Sequence, residues 1–102
     1  MEGTPYRLAK WRVAPERTDE FEAAWRDLAE AFTRLPQPPI EGTLVRSTTD
    51  PQLSYSFGPW RSAADVAAMR ADPKAQTALA RLRAMCEEAT PGSYQVVLHV
   101  KV

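Results

Sequence analysis

The chain is poor in the residues that build metal and redox centres. Its 102 residues include one cysteine, Cys86, and one histidine, His99. A lone cysteine closes no intramolecular disulfide, and with a single histidine it cannot supply the several thiolates or imidazoles of a zinc or other transition-metal site. No acidic loop has the spacing of a calcium or magnesium site, so no metal is expected. The four glycines are scattered, which leaves no glycine-rich phosphate loop. No apolar run approaches the roughly 20 residues that span a bilayer. The stretch from Met1 to Arg7 has no apolar run of the kind a signal peptide carries. A cytoplasmic location is therefore expected. Excess charge is missing too, since thirteen basic and thirteen acidic side chains cancel. That balance argues against nucleic acid as a partner, which calls for basic residues clustered on one face, and against a polybasic membrane-surface protein.

What remains is an ordinary globular composition, 44% hydrophobic and 25% charged. Its length suits one domain spanning residues 1–102. Domains of this size bury only about 60–70% of their unfolded surface, so a partner subunit would add stability.

The patterning divides the chain into seven elements. Tyr6 to Val13 alternates as a strand, with Arg7, Ala9, Trp11 and Val13 on one side and Tyr6, Leu8, Lys10 and Arg12 on the other. Pro15 suits the first position of a helix, and Glu16, Asp19 and Glu20 load its start with favourable negative charge. Phe21, Trp25, Leu28, Phe32 and Leu35 then recur at helical intervals, until Pro36, Pro38 and Pro39 end the run. A second strand is expected over about Thr43 to Thr48, followed by turn chemistry at Asp50-Pro51. The third strand, Leu53 to Trp60, sets large Leu53, Tyr55 and Phe57 against small Ser54, Ser56 and Gly58. Ser62 with Asp65 three residues on resembles a capping box for a short helix, Ala63 to Arg70. Asp72-Pro73 caps and opens another helix with Ala75, Leu79, Leu82, Cys86 and Ala89 on one stripe. Pro91-Gly92 is expected to stop that helix, and valine-rich Tyr94 to Val102 to form the last strand.

The order β-α-β-β-α-α-β is that of an α+β, ferredoxin-like split βαβ unit with its second helix broken in two. Right-handed crossovers leave few alternatives to a four-stranded antiparallel sheet with the helices on one face. The opposite face would then expose Leu53, Tyr55 and Phe57, and an apolar sheet face of that size marks an interface. Two such sheets facing each other make a dimeric α+β barrel, so a homodimer is expected.

Three stretches carry a family resemblance: Val13 to Trp25 (VAPERTDEFEAAW), Tyr55 to Asp65 (YSFGPWRSAAD) and Arg70 to Pro73 (RADP). They resemble the antibiotic biosynthesis monooxygenase family of the dimeric α+β barrel superfamily, over nearly the whole chain. That resemblance implies a site inside each subunit, between sheet and helices, walled by Ala9, Trp11, Ser54, Ser56, Gly58, Trp60, Phe32 and Met69. It implies no cofactor, and a small apolar or aromatic substrate of polyketide type that reacts with dioxygen. The protein would deprotonate the substrate, stabilise its anion and exclude water. Relatives with this activity place an asparagine on the third strand and a tyrosine on the following short helix. Here the corresponding positions hold Ser56 and Val66, while the tryptophan is retained as Trp60. The superfamily also hosts cyclases, isomerases and proteins without known activity, so a cyclase or isomerase, or a non-catalytic binding module, stands beside the oxygenase reading. The haem-degrading branch uses an axial histidine on the last helix, and Ala75 to Arg83 contains none.

The catalytic residue is left open among three candidates. Ser56 can donate a hydrogen bond. His99 is the one side chain with an ordinary pKa near neutral, and reads either as a surface or interface histidine or as a base reaching the cavity. Arg46 can grip a carboxylate or phenolate, or pair with an acidic side chain, as can Arg12. Trp25 reads as core, and Cys86 as a small buried hydrophobe.

Overall fold

A computed structural model describes residues 2–102. Its elements are β1 (Pro5–Val13), α1 (Thr18–Thr33), β2 (Thr43–Arg46), β3 (Leu53–Pro59), α2 (Ala63–Ala71), α3 (Pro73–Ala84) and β4 (Cys86–Gln95). The strands form one sheet in the order β2-β3-β1-β4, with every neighbouring pair antiparallel. This is the expected ferredoxin-like β-α-β-β-α-α-β arrangement. Among the described residues no helix is long and apolar enough to cross a membrane.

Register fixes the two faces. β1 pairs β3 with Ala9 opposite Ser56 and Trp11 opposite Ser54, and pairs β4 with Arg7 opposite Ser93 and Trp11 opposite Ala89. Ala9, Trp11 and Val13 are buried beneath Phe21, Ala24 and Leu28 of α1 and Leu82 of α3. A second cluster joins Trp60 to Val66 and Met69 of α2 and Ala75 of α3. The other face carries Tyr6, Leu8, Lys10, Arg12, Leu53, Tyr55 and Phe57, with no helix over it. Tyr55 there is 36% exposed, beside Val45 and Tyr94 at 43% and 58%. Lys10 and Arg12 spend their charge on that face, against Glu88 at 3.7 Å and Asp50 at 3.1 Å.

The helix caps follow the sequence. Ser62 Oγ accepts from the Asp65 N–H at 3.1 Å. The Asp72 carboxylate accepts from the Ala75 N–H at 2.9 Å, with Pro73 opening α3. Such caps stabilise by about 1 kcal/mol each.

Three expectations are corrected. Pro15 does not open α1. It sits in a turn closed by the Arg17 N–H donating to Ala14 O at 3.2 Å, and Glu16 takes φ 67°. A positive φ at the third residue after a proline at the second is type II geometry, so the helix begins three residues later, at Thr18. At its other end α1 stops at Thr33, so Leu35 lies beyond it, packed against the Trp60 cluster.

The last strand is Cys86–Gln95, not Tyr94 to Val102, and α3 ends at Ala84. Cys86, Ala89 and the Pro91-Gly92 pair thus belong to β4. The Ala14 N–H captures Met85 O at 2.9 Å, which ties the helix end to the exit of β1. Pro91 is tolerated because β4 is an edge strand. Pairing against β1 outweighs the weak strand propensity of this segment.

Val96 makes the final rungs, accepting from the Gly3 N–H at 2.7 Å and donating to Thr4 O at 2.9 Å. Among the described residues no backbone hydrogen bond follows it. Val97, Leu98 and Val100 are accordingly 78%, 71% and 66% exposed, and His99 lies exposed among them.

Candidate functional site

Between the sheet and its helices lies a cavity of about 350 Å³. Its floor is the small-residue strip of the sheet: Ala9, Ser56 and Gly58, with Trp11 at one side. Trp25, Leu28 and Phe32 of α1 form one wall, and Met69, Leu79 and Trp60 form another. The segment 38–42 closes a third side. Small side chains on β1 and β3 leave the space, and large aromatics on the elements around them enclose it.

Gly58 brings the third side in. A Cβ there would run into the Glu41 carbonyl and the Gly42 Cα, so only glycine allows segment 38–42 to lie on β3. The Ile40 N–H then donates to Pro59 O at 3.0 Å and fixes that segment. The aromatic walls are braced in turn. Trp11 stacks at a tilt on Phe21, with centroids 5.5 Å apart, and Phe32 meets Trp60 edge-on at 5.9 Å.

Polar groups at the cavity are few. Trp11 Nε1–H donates to Ser56 Oγ at 2.9 Å. That bond holds the indole and leaves the Ser56 hydroxyl proton free for a ligand oxygen. Arg7, on the same side of β1 as Ala9 and Trp11, lines one end, and Arg83 of α3 lines the wall. Arg7 Nη1 donates to Ser93 Oγ at 2.7 Å. Burial, and secondarily the charge of Arg70, lower the Arg7 pKa from the ordinary guanidinium value, yet arginine stays charged in proteins. Glu41, on an exposed stretch of chain, supplies the one carboxylate of the lining.

The sequence-predicted residues sort cleanly. Trp11, Ser56, Trp60, Phe32 and Met69 line this one cavity, with Ala9 and Gly58. Ser54 does not line it. It is 1% exposed and its hydroxyl has no partner among the described residues, because its position opposite Trp11 falls beneath the packed part of the core. His99 is on the exposed segment after β4, not in the cavity. Arg46 is bound to Glu22 at 3.0 Å. That pair belongs to a second hollow of about 430 Å³, whose six lining residues include three charged ones, Glu22, Arg26 and Arg46. A lining half charged and part-neutralised suits a solvated groove more than a small-molecule site. Burial chiefly pushes the Cys86 thiol pKa up, against a smaller opposing effect of Arg17, which keeps it a protonated thiol rather than a nucleophile. Among the described residues no group of His, Cys, Asp and Glu could hold a metal ion.

Sequence reasoning did not assign Trp25, segment 38–42, Arg7 or Arg83 to the site. For Arg7 a signal existed, since alternation already set it on the side of Ala9 and Trp11.

Residues 6–81 match the profile of antibiotic biosynthesis monooxygenases. The chain belongs to that family. The match runs from β1 into α3 and so spans most of the cavity wall. No curated protein sequence matches the chain. Among solved structures, SnoaB, a cofactor-independent oxygenase from Streptomyces nogalater, superposes with a TM-score of 0.84 at 19% identity, over 96% of this chain and 97% of that one. A conserved protein from Methanosarcina mazei gives 0.81 at 16% identity, over 92% and 93%. A candidate antibiotic biosynthesis monooxygenase from Bordetella bronchiseptica gives 0.80 at 22% identity, over 95% and 100%. At these identities the likeness establishes the fold. Within the chain, the two positions singled out by the family resemblance, Ser56 and Val66, lie apart. Ser56 is on the cavity floor, whereas Val66 is buried against Trp60 and Met69 behind the wall.

Proposed function

We propose that this protein is a cofactor-independent oxygenase that takes a planar aromatic, polyketide-type compound into the cavity and works as a homodimer of single-domain subunits. One observation carries the reading: a hollow of about 350 Å³ walled by Trp11, Trp25, Phe32 and Trp60. A flat apolar ligand fits such a space, and drug-sized ligands occupy cavities of roughly 300–1,000 Å³. Trp11 and Trp60 are each only 3% exposed, so a bound ligand would be shielded from water on those sides.

The chemistry proceeds through the substrate's own anion. An activated methylene between two aromatic rings, conjugated through them to a carbonyl, loses a proton, and the Ser56 hydroxyl donates to the carbonyl oxygen where charge accumulates. Dioxygen accepts four electrons from the methylene carbon. Two C–H bonds break, a C=O bond forms with one oxygen atom, and the other oxygen leaves as water. No external reductant is needed. The substrate must be acidic on its own account, because the lining offers no histidine and its one carboxylate is on an exposed stretch of chain.

The lack of a built-in base favours a second reading, a cyclase or isomerase in which the same walls fold a reactive chain. Oxygen consumption decides between them. With an anthrone-type substrate the oxygenase takes up one dioxygen per product in air and does nothing under nitrogen. Conversion at equal rates in both atmospheres supports the second reading, and binding without conversion supports an accessory module. Trp60→Ala is expected to lower turnover in either enzyme.

The homodimer rests on the uncovered row of Leu8, Leu53, Tyr55 and Phe57 and on the exposed Val97, Leu98 and Val100, which have nothing to pack on in one subunit. Sedimentation equilibrium is expected to give twice the chain mass, and a monomer at micromolar concentration would refute the pairing.

A further inference from the structure

Six of the basic side chains are neutralised by carboxylates: Lys10, Arg12, Arg17, Arg34, Arg46 and Arg81. The three arginines near the cavity, Arg7, Arg70 and Arg83, form no ion pair among the described residues. Arg7 is the telling one. It lies half-buried on the helix-covered side of β1 and lines an otherwise apolar cavity. Among the described residues its one side-chain hydrogen bond goes to the neutral Ser93 hydroxyl. The charge that acts on it is the like charge of Arg70. Glu41, the one acid of the lining, is not within ion-pair distance of it.

A guanidinium part-removed from water, beside another cation and without an anion, is an unfavourable arrangement unless something completes it. The Ser93 bond uses Nη1 alone. The opposite edge, Nε–H and Nη2–H, is left free, and those parallel donors match the two oxygens of a carboxylate.

We infer that the ligand of this cavity is an aromatic carboxylate, its ring system between the tryptophans and its carboxylate held side-on by Arg7. The inference rests on the cavity reading above and narrows it to acids. Arg7 lies at one end of the cavity, so the carboxylate serves as an anchor that orients the rings against Ser56 and Trp60 and does not itself react. Arg70, whose charge acts on Arg7, adds positive potential that draws an anion to this end.

Two probes of one shape test it: anthraquinone-2-carboxylate and its neutral carboxamide, titrated calorimetrically into the wild-type chain and three variants. Wild type is expected to prefer the carboxylate by about tenfold, the scale of one charge-assisted hydrogen bond over a neutral one. Arg7→Gln should abolish the preference while leaving carboxamide affinity within about twofold, and Arg7→Lys, which keeps the charge but loses the fork, should retain part of it. Trp60→Ala should weaken both probes alike. Equal affinities in wild type, or a preference that survives Arg7→Gln, would overturn the anion anchor and leave the cavity reading intact if Trp60→Ala still weakens both. No binding of either probe would overturn the two together.

Discussion

At the Val13 end of the helix-covered face, Val13, Phe21 and Leu82 are completely buried and Ala24 and Met85 nearly so. At the Arg7 end the same strands carry Arg7, Ala9, Ser56 and Gly58, and the helices stand off from them around a hollow. The two ends share a sheet, a helix pair and a crossover, and differ in side-chain volume. Packing to crystal-like density is thus a property of one end of this layer and not of the whole. The open end holds its shape by other means: the Trp11–Ser56 hydrogen bond, the Phe32–Trp60 edge contact and the segment seated on Gly58.

That contrast can be broken by mutation. The largest effect is expected from Phe21→Ala, which empties a filled site and should cost about 3–5 kcal/mol in urea unfolding. Phe32→Ala only enlarges an existing space and should cost less than half as much. Equal losses would mean that the two ends are packed alike. Next comes Gly58→Ala, where the new methyl meets backbone that must move; a loss of about 1–3 kcal/mol is expected. Hydrogen exchange should quicken at the Ile40 amide, whose partner is Pro59 O. If that amide stays protected, segment 38–42 is held by something other than its seat on β3.

An effect of similar size at the filled end, set against a small one at the hollow, sharpens the comparison. Ala24→Leu forces atoms into the filled end and should destabilise by about 1–3 kcal/mol. Ala9→Val points into the hollow and suits a strand, so stability should stay within about 1 kcal/mol of wild type, while ligand binding falls. The smallest effect is a control on the opposite face. The Arg12 hydrogen bond, helped by the Gln52 N–H, holds the Asp50 carboxyl below its ordinary value. A depressed carboxylate stabilises above its unfolded pKa, and that contribution disappears as pH falls through the folded value. Asp50→Asn should therefore remove a slight acid-side loss of stability below the ordinary carboxylate range and leave the neutral-pH behaviour of the cavity unchanged.

The same contrast explains what could be read from the sequence. Alternation in Tyr6 to Val13 and Leu53 to Trp60 put Trp11, Ser56 and Gly58 on one face, and the helical spacing of Phe21 to Phe32 put α1 above them. Local period carries that information. Arg7 is on the right face by alternation, but charge at a strand end ordinarily means solvent, so the pattern alone does not mark it as a cavity residue. Segment 38–42 begins inside a proline cluster and has no period, and its approach to Gly58 is a long-range event. The last strand failed for a related reason. Valine content favours Tyr94 to Val102, but β1 is already paired along its length by Cys86–Gln95, and a strand without a neighbour has no ladder to join. Ser54 shows the limit of face assignment: it shares a face with Ser56 and falls under the filled end, two residues from the hollow.

All three tryptophans of the chain, Trp11, Trp25 and Trp60, stand at the same cavity. The intrinsic fluorescence of this protein is therefore almost wholly a report from one location. A quinone or other aromatic acceptor entering there should quench the emission without any label, and the Trp11 indole, fixed through its N–H, should shift its spectrum if Ser56 turns toward a guest.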